Sequence, residues 1–159
     1  MLTIKKGNLL TAGWDFAAHC ANTECVMGAG VALALKNKWP EVYQADKDCT
    51  LSREEKYGKY SRADLPNGKA IYNLYAQLGI GNNGNPLNRN IRYDLLFDSL
   101  YLASEDAKII MEMENKDRAV MGLPWLGTGL SGGSKEIVHA IVREISLLFE
   151  NIDYTIWEL

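Results

Sequence analysis

Two glycine clusters and a few polar side chains could carry chemistry in this chain. The clusters are Met27-Gly28-Ala29-Gly30 and Gly127-Thr128-Gly129-Leu130-Ser131-Gly132-Gly133. Each pairs residues able to adopt positive φ with the free N–H groups of a helix start, where the dipole favours negative charge. Alone, either could be a plain tight turn; together, at corresponding ends of a sheet, they could grip both phosphates of a diphosphate from opposite sides. Neither matches a standard nucleotide motif, because GAGVAL lacks the third glycine of the dinucleotide fingerprint and no G-x-x-x-x-G-K-[ST] occurs. That argues against hydride-transfer enzymes and P-loop kinases.

Polar residues frame the loops. His19 has the residue type whose pKa suits acid/base work near neutrality, although strand histidines also serve as satisfied core residues. Asn22 ends the HCAN segment and could contact a ribose hydroxyl. Asn8, directly after the first strand, could read a base edge or simply close a turn. Lys36 follows Gly30 on the same helix and is either a functional amine or a solvated lysine. Within or beside GIGNNGNPLNRN (Gly79–Asn90), Gln77, Arg89 or Arg92 could meet a terminal phosphate, since Arg suits bidentate phosphate contacts; a solvated loop explains the composition equally well.

Alternating strands and helices must position these groups. Strands are expected at Leu2–Ile4, Phe16–Ala21, Ala70–Tyr75, Ala119–Leu126 and Tyr154–Trp157. Helices are expected at Val31–Trp39, stopping before Pro40, and at Arg53–Lys59 behind the Ser52/Glu55 capping-box pattern. Two more are expected at Tyr93–Ala103 and Lys135–Glu150. The last reads as the longest, with Ile137, Val138, Ile141, Val142, Ile145, Leu148 and Phe149 on one stripe. This order implies a mainly parallel or mixed sheet with helices on its faces, and ligands beyond the carboxyl ends of its strands.

The chain's 159 residues, 47% of them hydrophobic, suit one domain spanning 1–159, with no disulfide framework or long disordered tract. Three cysteines (Cys20, Cys25, Cys49) and two histidines form no zinc-ligand spacing, so no metal and no cofactor are expected. A net charge of −3 speaks against broad electrostatic binding of nucleic acid but not against a phosphate held by backbone amides. No stretch reads as a membrane span or signal peptide, so a cytoplasmic location is expected, in the host cytoplasm if the source is viral.

The runs KGNLL (Lys6–Leu10), HCANTECVMGAGVALALKNKWPEVYQAD (His19–Asp46), NLYAQLGIG (Asn73–Gly81) and LPWLGTGLSGG (Leu123–Gly133) together resemble the macrodomains, which are ADP-ribose-binding α/β/α modules. The likeness is to the group of ADP-ribose-1''-phosphate phosphatases and terminal ADP-ribose protein glycohydrolases, bacterial and phage-type members included. The resemblance implies a three-layer α/β/α fold around a mixed, mostly parallel sheet. It places Asn8 and Leu9 by the adenine and Asn22 by the distal ribose. Val26, Met27, Gly28, Ala29, Gly30 and Val31 would surround the diphosphate and distal ribose. Leu126, Gly127, Thr128, Gly129, Leu130, Ser131 and Gly132 would cover the phosphates from the other side.

It further implies a hydrolase acting at the 1'' position, with His19, Asn22 and Lys36 as catalytic candidates. ADP-ribose-1''-phosphate is the first expected substrate. The alternatives are ADP-ribosylated protein or nucleic acid, or a non-catalytic ADP-ribose reader. A monomer that binds no membrane is expected. Where the glycohydrolase has an Asp after G-x-G-L this chain has Ser131, and where many bacterial relatives have Asp-Trp after GG it has Ser134-Lys135.

Overall fold

The computed structural model describes residues 1–79 and 90–159. Arg89 and the interior of the Gly79–Asn90 segment therefore lie outside the described residues. The strands are β1 (Leu2–Lys6), β2 (Phe16–Asn22), β3 (Tyr60–Asp64), β4 (Ala70–Gln77), β5 (Ala119–Leu123) and β6 (Ile152–Glu158). The helices are α1 (Gly30–Lys38), α2 (Pro40–Asp48), α3 (Arg53–Lys56), α4 (Tyr93–Met113) and α5 (Lys135–Leu148).

One six-stranded sheet runs in the order β1-β6-β5-β2-β4-β3. Every neighbouring pair is parallel except β3 with β4, so the sheet is mixed and mostly parallel. Apolar side chains cover both faces. Leu96, Leu100 and Ala103 of α4 and Val138, Val142 and Ile145 of α5 pack on one face, against Ala18, Tyr72 and Met121. Leu35 of α1 and Val42 of α2 pack on the other, against Ala17 and Ile71. The result is the α/β/α sandwich expected for strands buried on both sides.

Two elements are shorter than the sequence reading, α3 ending at Lys56 rather than Lys59 and β5 at Leu123 rather than Leu126, and four differ further. Pro40 ends α1 but begins α2, where its missing N–H costs nothing at the first helical position. The strand β3 escaped notice because YSRAD is polar and lies at the sheet edge, where one face and one row of backbone groups meet solvent. The longest helix is α4, with 21 residues, rather than α5, with 14. Its buried stripe runs on past Ala103 through Ser104, Ala107 and Met111, and the small Ser104 and Ala107 give little hydrophobic signal. On α5 the expected stripe is narrower: Ile137 and Leu148 are exposed, whereas Val138, Val142 and Ile145 are buried. The capping box forms as read, with Ser52 Oγ accepting from Glu55 N at 3.2 Å and Glu55 Oε1 accepting from Ser52 N at 3.1 Å.

Strand order fixes where a ligand can sit. From β2 the chain moves outward through α1 and α2 on one face toward β4; from β5 it moves the other way through α5 on the opposite face toward β6. The switch point therefore falls between β2 and β5. These strands pair only at Phe16↔Met121 and Ala17↔Gly122, after which β5 ends at Pro124, which has no N–H to continue a ladder. Beyond that pairing the two strands part, and a cleft opens.

Candidate active site at the switch point

The cleft has a volume of about 460 Å³. The first glycine loop forms one wall with Gly28, Ala29, Gly30 and Val31, and the second forms the other with Gly127, Gly129, Leu130 and Ser131. The floor is the carboxyl end of β2, with His19, Cys20 and Asn22, beside Gln77 at the end of β4.

The first loop is held by Asn22. Its Oδ1 accepts from the amides of Glu24 (2.9 Å) and Val26 (3.4 Å), while its Nδ2 donates to the Val26 carbonyl at 2.8 Å. This side-chain turn carries the chain through Cys25, at φ +59°, and delivers it to the α1 N-terminus. Helix α1 has no side-chain cap and no acidic residue in its first turn. Among the described residues, the amides of Gly28, Ala29, Gly30, Val31 and Ala32 donate to no carbonyl or side chain. A bare helix start beside a cleft is a donor array for an anion.

The second loop is braced from within. Gly133 N donates to Gly127 O at 2.8 Å and Gly132 N to Gly129 O at 3.0 Å. The Ser131 carbonyl accepts from the amides of Asn90 (3.1 Å) and Ile91 (3.3 Å), which ties the loop to the start of α4. Gly127 sits at φ +65°, where a Cβ would lie 2.6 Å from Ile91 Cδ1, so only glycine fits. The amides of Gly129, Leu130 and Ser131 have no acceptor among the described residues. Ser134 caps α5 through Ile137 N, so this helix start, unlike that of α1, carries a side-chain cap.

His19 is buried, and its protonation is set by its neighbours. Asn73 Nδ2 donates to both Val42 O and Ser61 Oγ, each at 3.0 Å, so Asn73 Oδ1 faces His19 Nε2 at 2.5 Å. Burial pushes the imidazole pKa below its ordinary value, against smaller opposing effects from the Asn73 hydrogen bond, the Asp46 charge and the Cys20 backbone. Among the described residues Nδ1 has no partner in hydrogen-bond geometry. Beside it, burial pushes the Cys20 thiol up to about 12, so Cys20 is no ready nucleophile.

A pH dependence follows. Below the ordinary imidazole value of about 6.5 the unfolded chain takes up a proton that folded His19 refuses, so its contribution is full above that value and is lost as pH falls. Urea denaturation should therefore show wild type losing more stability than His19→Gln between about pH 7 and about pH 5. Parallel losses would contradict the buried neutral imidazole.

The structure brings together His19, Asn22, Val26, Gly28, Ala29, Gly30, Val31, Gly127, Gly129, Leu130 and Ser131. It places others apart from the cleft lining. Lys36 Nζ stands 4.2 Å from the Tyr43 ring centroid. Asn8 is exposed and accepts from Leu10 N at 2.9 Å, closing a turn. Leu9, Met27 and Leu126 are buried in the cores. Thr128 Oγ1 donates to Trp125 O at 3.1 Å, and Gly132 lies in the loop behind Gly129. Arg92 is paired with Asp94 at 2.8 Å.

Sequence reasoning did not single out Ala32, Pro124 or Trp125 as lining residues. Trp125 stands in LPWLGTG, directly before the second glycine loop, and an aromatic there was the available signal. Its Nε1 donates to Glu158 Oε2 at 2.6 Å, and Lys135 Nζ lies 5.3 Å from its ring centroid. Among the described residues no three His, Cys, Asp or Glu side chains converge to hold a metal, and no helix is long and apolar enough to cross a membrane.

These features define a three-layer α/β module with a cleft lined by free backbone amides at its switch point. The fold is that of the macrodomains. The macrodomain of Mycobacterium tuberculosis DarG superposes with a TM-score of 0.76 at 21% identity, covering 100% of this chain and 98% of that one. Thermosipho africanus DarTG in complex with ADP-ribose superposes with a TM-score of 0.75 at 18% identity, covering 99% of this chain and 42% of that one. In sequence, the chain is 25% identical over 161 aligned positions to the DNA ADP-ribosyl glycohydrolase of Thermus aquaticus, covering 99% of this chain. It spans 41% of that relative's length. No family model matches the chain.

Proposed function

We propose that the cleft binds ADP-ribose through its diphosphate and that the protein hydrolyses the substituent at C1'' of the distal ribose, phosphate first among them. The observation that carries this reading is the pair of glycine loops following β2 and β5, whose unused amides line one cleft. A diphosphate fits such a donor array without a positive side chain among the described lining residues, which is consistent with a net charge of −3. The solved fold with ADP-ribose supports the ligand, and the resemblance to 1''-phosphate phosphatases supports the leaving group.

In this reading the loops fix the phosphates, and Asn22 keeps the first loop in place beneath the distal ribose. Water attacks phosphorus, the P–O1'' bond breaks, and ADP-ribose and inorganic phosphate leave. His19, neutral and with Nδ1 unpartnered among the described residues, takes the proton from water and returns it to the departing O1''. Backbone donors aimed at the anion supply the electrostatic part of catalysis without reorganising.

A second reading is removal of ADP-ribose from a macromolecule, where water attacks C1'' and the acceptor leaves. Likeness to a protein named DNA ADP-ribosyl glycohydrolase favours it. Lys36, packed on Tyr43, would have to leave that ring to take part. A side-by-side assay on ADP-ribose-1''-phosphate, ADP-ribosylated protein and ADP-ribosylated DNA separates the readings, with calorimetric titration of ADP-ribose alongside. Release of phosphate is expected, reduced roughly 10²- to 10⁴-fold in His19→Ala. Equal rates for the two proteins would remove His19 from the mechanism. Unchanged turnover of an ADP-ribosylated acceptor by Lys36→Arg would remove Lys36. Binding without any turnover would leave a reader of ADP-ribose, and no binding would sink the reading altogether.

A further inference from the structure

Behind His19, away from the cleft, runs a chain of polar groups, buried except for half-buried Ser61, that the steps above leave unused. His19 Nε2 meets Asn73 Oδ1; Asn73 Nδ2 donates to Ser61 Oγ; Ser61 Oγ lies 2.8 Å from Tyr75 Oη; and Tyr75 Oη donates to Asp46 Oδ1 at 2.7 Å. Lys56 Nζ closes it at 3.8 Å from Asp46 Oδ1. The donors and acceptors along this chain leave little choice at His19. The Asn73 amide nitrogen spends both hydrogens, on Val42 O and Ser61 Oγ, so its oxygen must face the imidazole. An oxygen acceptor requires a hydrogen on Nε2. A neutral imidazole carries one ring hydrogen, so Nδ1 is left as a lone pair.

We propose that Asn73 is a positioning residue that locks His19 in the Nε2–H tautomer, so that Nδ1 stands at the floor of the cleft as an acceptor for a hydroxyl or water of the bound ligand. Two independent observations meet here: the double donation by Asn73, and a His19 Nδ1 that is buried, without a partner, on a residue lining the cleft. An orphaned polar atom in the interior costs free energy, and a ligand donor would recover it. The ligand part rests on the ADP-ribose reading; the tautomer does not. The charge acting on the ring is that of Asp46 on α2, which is itself paired with Lys56 on α3.

The test is long-range ¹H–¹⁵N correlation of the imidazoles in the full chain, which holds two histidines, with His139→Gln assigning the spectrum. Near neutral pH wild-type His19 is expected to carry hydrogen on Nε2 and none on Nδ1; hydrogen on Nδ1 would overturn the assignment without any variant. Asn73→Asp keeps the acceptor and adds charge, so His19 is expected to keep Nε2–H and bind a proton at least about tenfold more tightly. An unchanged proton affinity would refute the contact. Saturating ADP-ribose, with saturation checked by calorimetry, is expected to move the Nδ1 resonance, and a stationary resonance would refute the presentation to ligand. If ADP-ribose does not bind at all, the functional reading and the ligand half fall together, while the tautomer is still decided by the free protein. With a substrate that turns over, Asn73→Asp is expected to shift the acidic limb of the kcat/KM profile upward in pH with KM little changed, a signature that loosened packing would not give.

Discussion

Gly133→Ala is expected to abolish measurable ADP-ribose binding and to destabilise the fold by about 1–3 kcal/mol, the range for forcing atoms into filled space. A Cβ on Gly133 would lie 2.5 Å from the Gly127 carbonyl oxygen, 3.2 Å from its carbon and 3.2 Å from Ile91 Cγ2. Two of those contacts are backbone, so no side-chain rotation relieves them. The Gly127 carbonyl must withdraw, and with it goes the 2.8 Å bond from Gly133 N that closes the loop. Gly127 cannot shift freely either, because Ile91 already fills the space its own Cβ would need. The whole second wall of the cleft therefore moves.

Gly129→Ala separates binding from folding. A Cβ there meets no atom within 4 Å, and Gly129 lines the cleft. Its stability should match wild type while ADP-ribose affinity falls, because the added methyl occupies space that the ligand backbone approach needs. Urea denaturation and calorimetric titration of the three proteins decide the matter. Wild-type affinity in Gly133→Ala would remove the second loop from the site.

How much of this was legible beforehand depends on the range of the interaction. The glycine loops were readable because their signal is local: Gly-rich segments between an apolar run and a helix pattern mark strand-to-helix turns, whatever the rest of the chain does. The capping box at Ser52 and the end of α1 before Pro40 are local in the same sense. The His19–Asn73–Ser61–Tyr75–Asp46 chain could not be read, because it joins residues 54, 12, 14 and 29 positions apart. The pairing of β2 with β4 and of β3 with β4 creates the contacts among His19, Asn73, Ser61 and Tyr75, helix α2 brings Asp46 to them, and β3 itself gave no strand signal. Lys36 illustrates the converse. Its position after the first loop placed it on α1, but only the turn of that helix and the Tyr43 ring on α2 decide where its amine goes.

The second large effect is expected at Lys56, where Lys56→Met should cost about 3–5 kcal/mol, the penalty for leaving one charge of a buried pair without its partner. Lys56 and Asp46 are 6% and 2% exposed, so water cannot replace the lost ammonium. Asp46 would retain only the Tyr75 hydroxyl of this network, at 2.7 Å. The pair itself is weak grounds for stability, because both charges were desolvated to make it. The double variant Asp46→Asn/Lys56→Met should therefore recover much of the loss, and urea denaturation of the three variants gives the coupling directly. A Lys56→Met protein as stable as wild type would refute the buried ion pair. The same change should reach the cleft: with Lys56 gone, the unopposed Asp46 charge favours the imidazolium of His19, so the His19 pKa should rise. In the doubly neutral variant that attraction is absent, and His19 should titrate below wild type even as stability returns. Stability and imidazole titration then move in opposite senses along the variant series, which a general loosening of the core cannot produce.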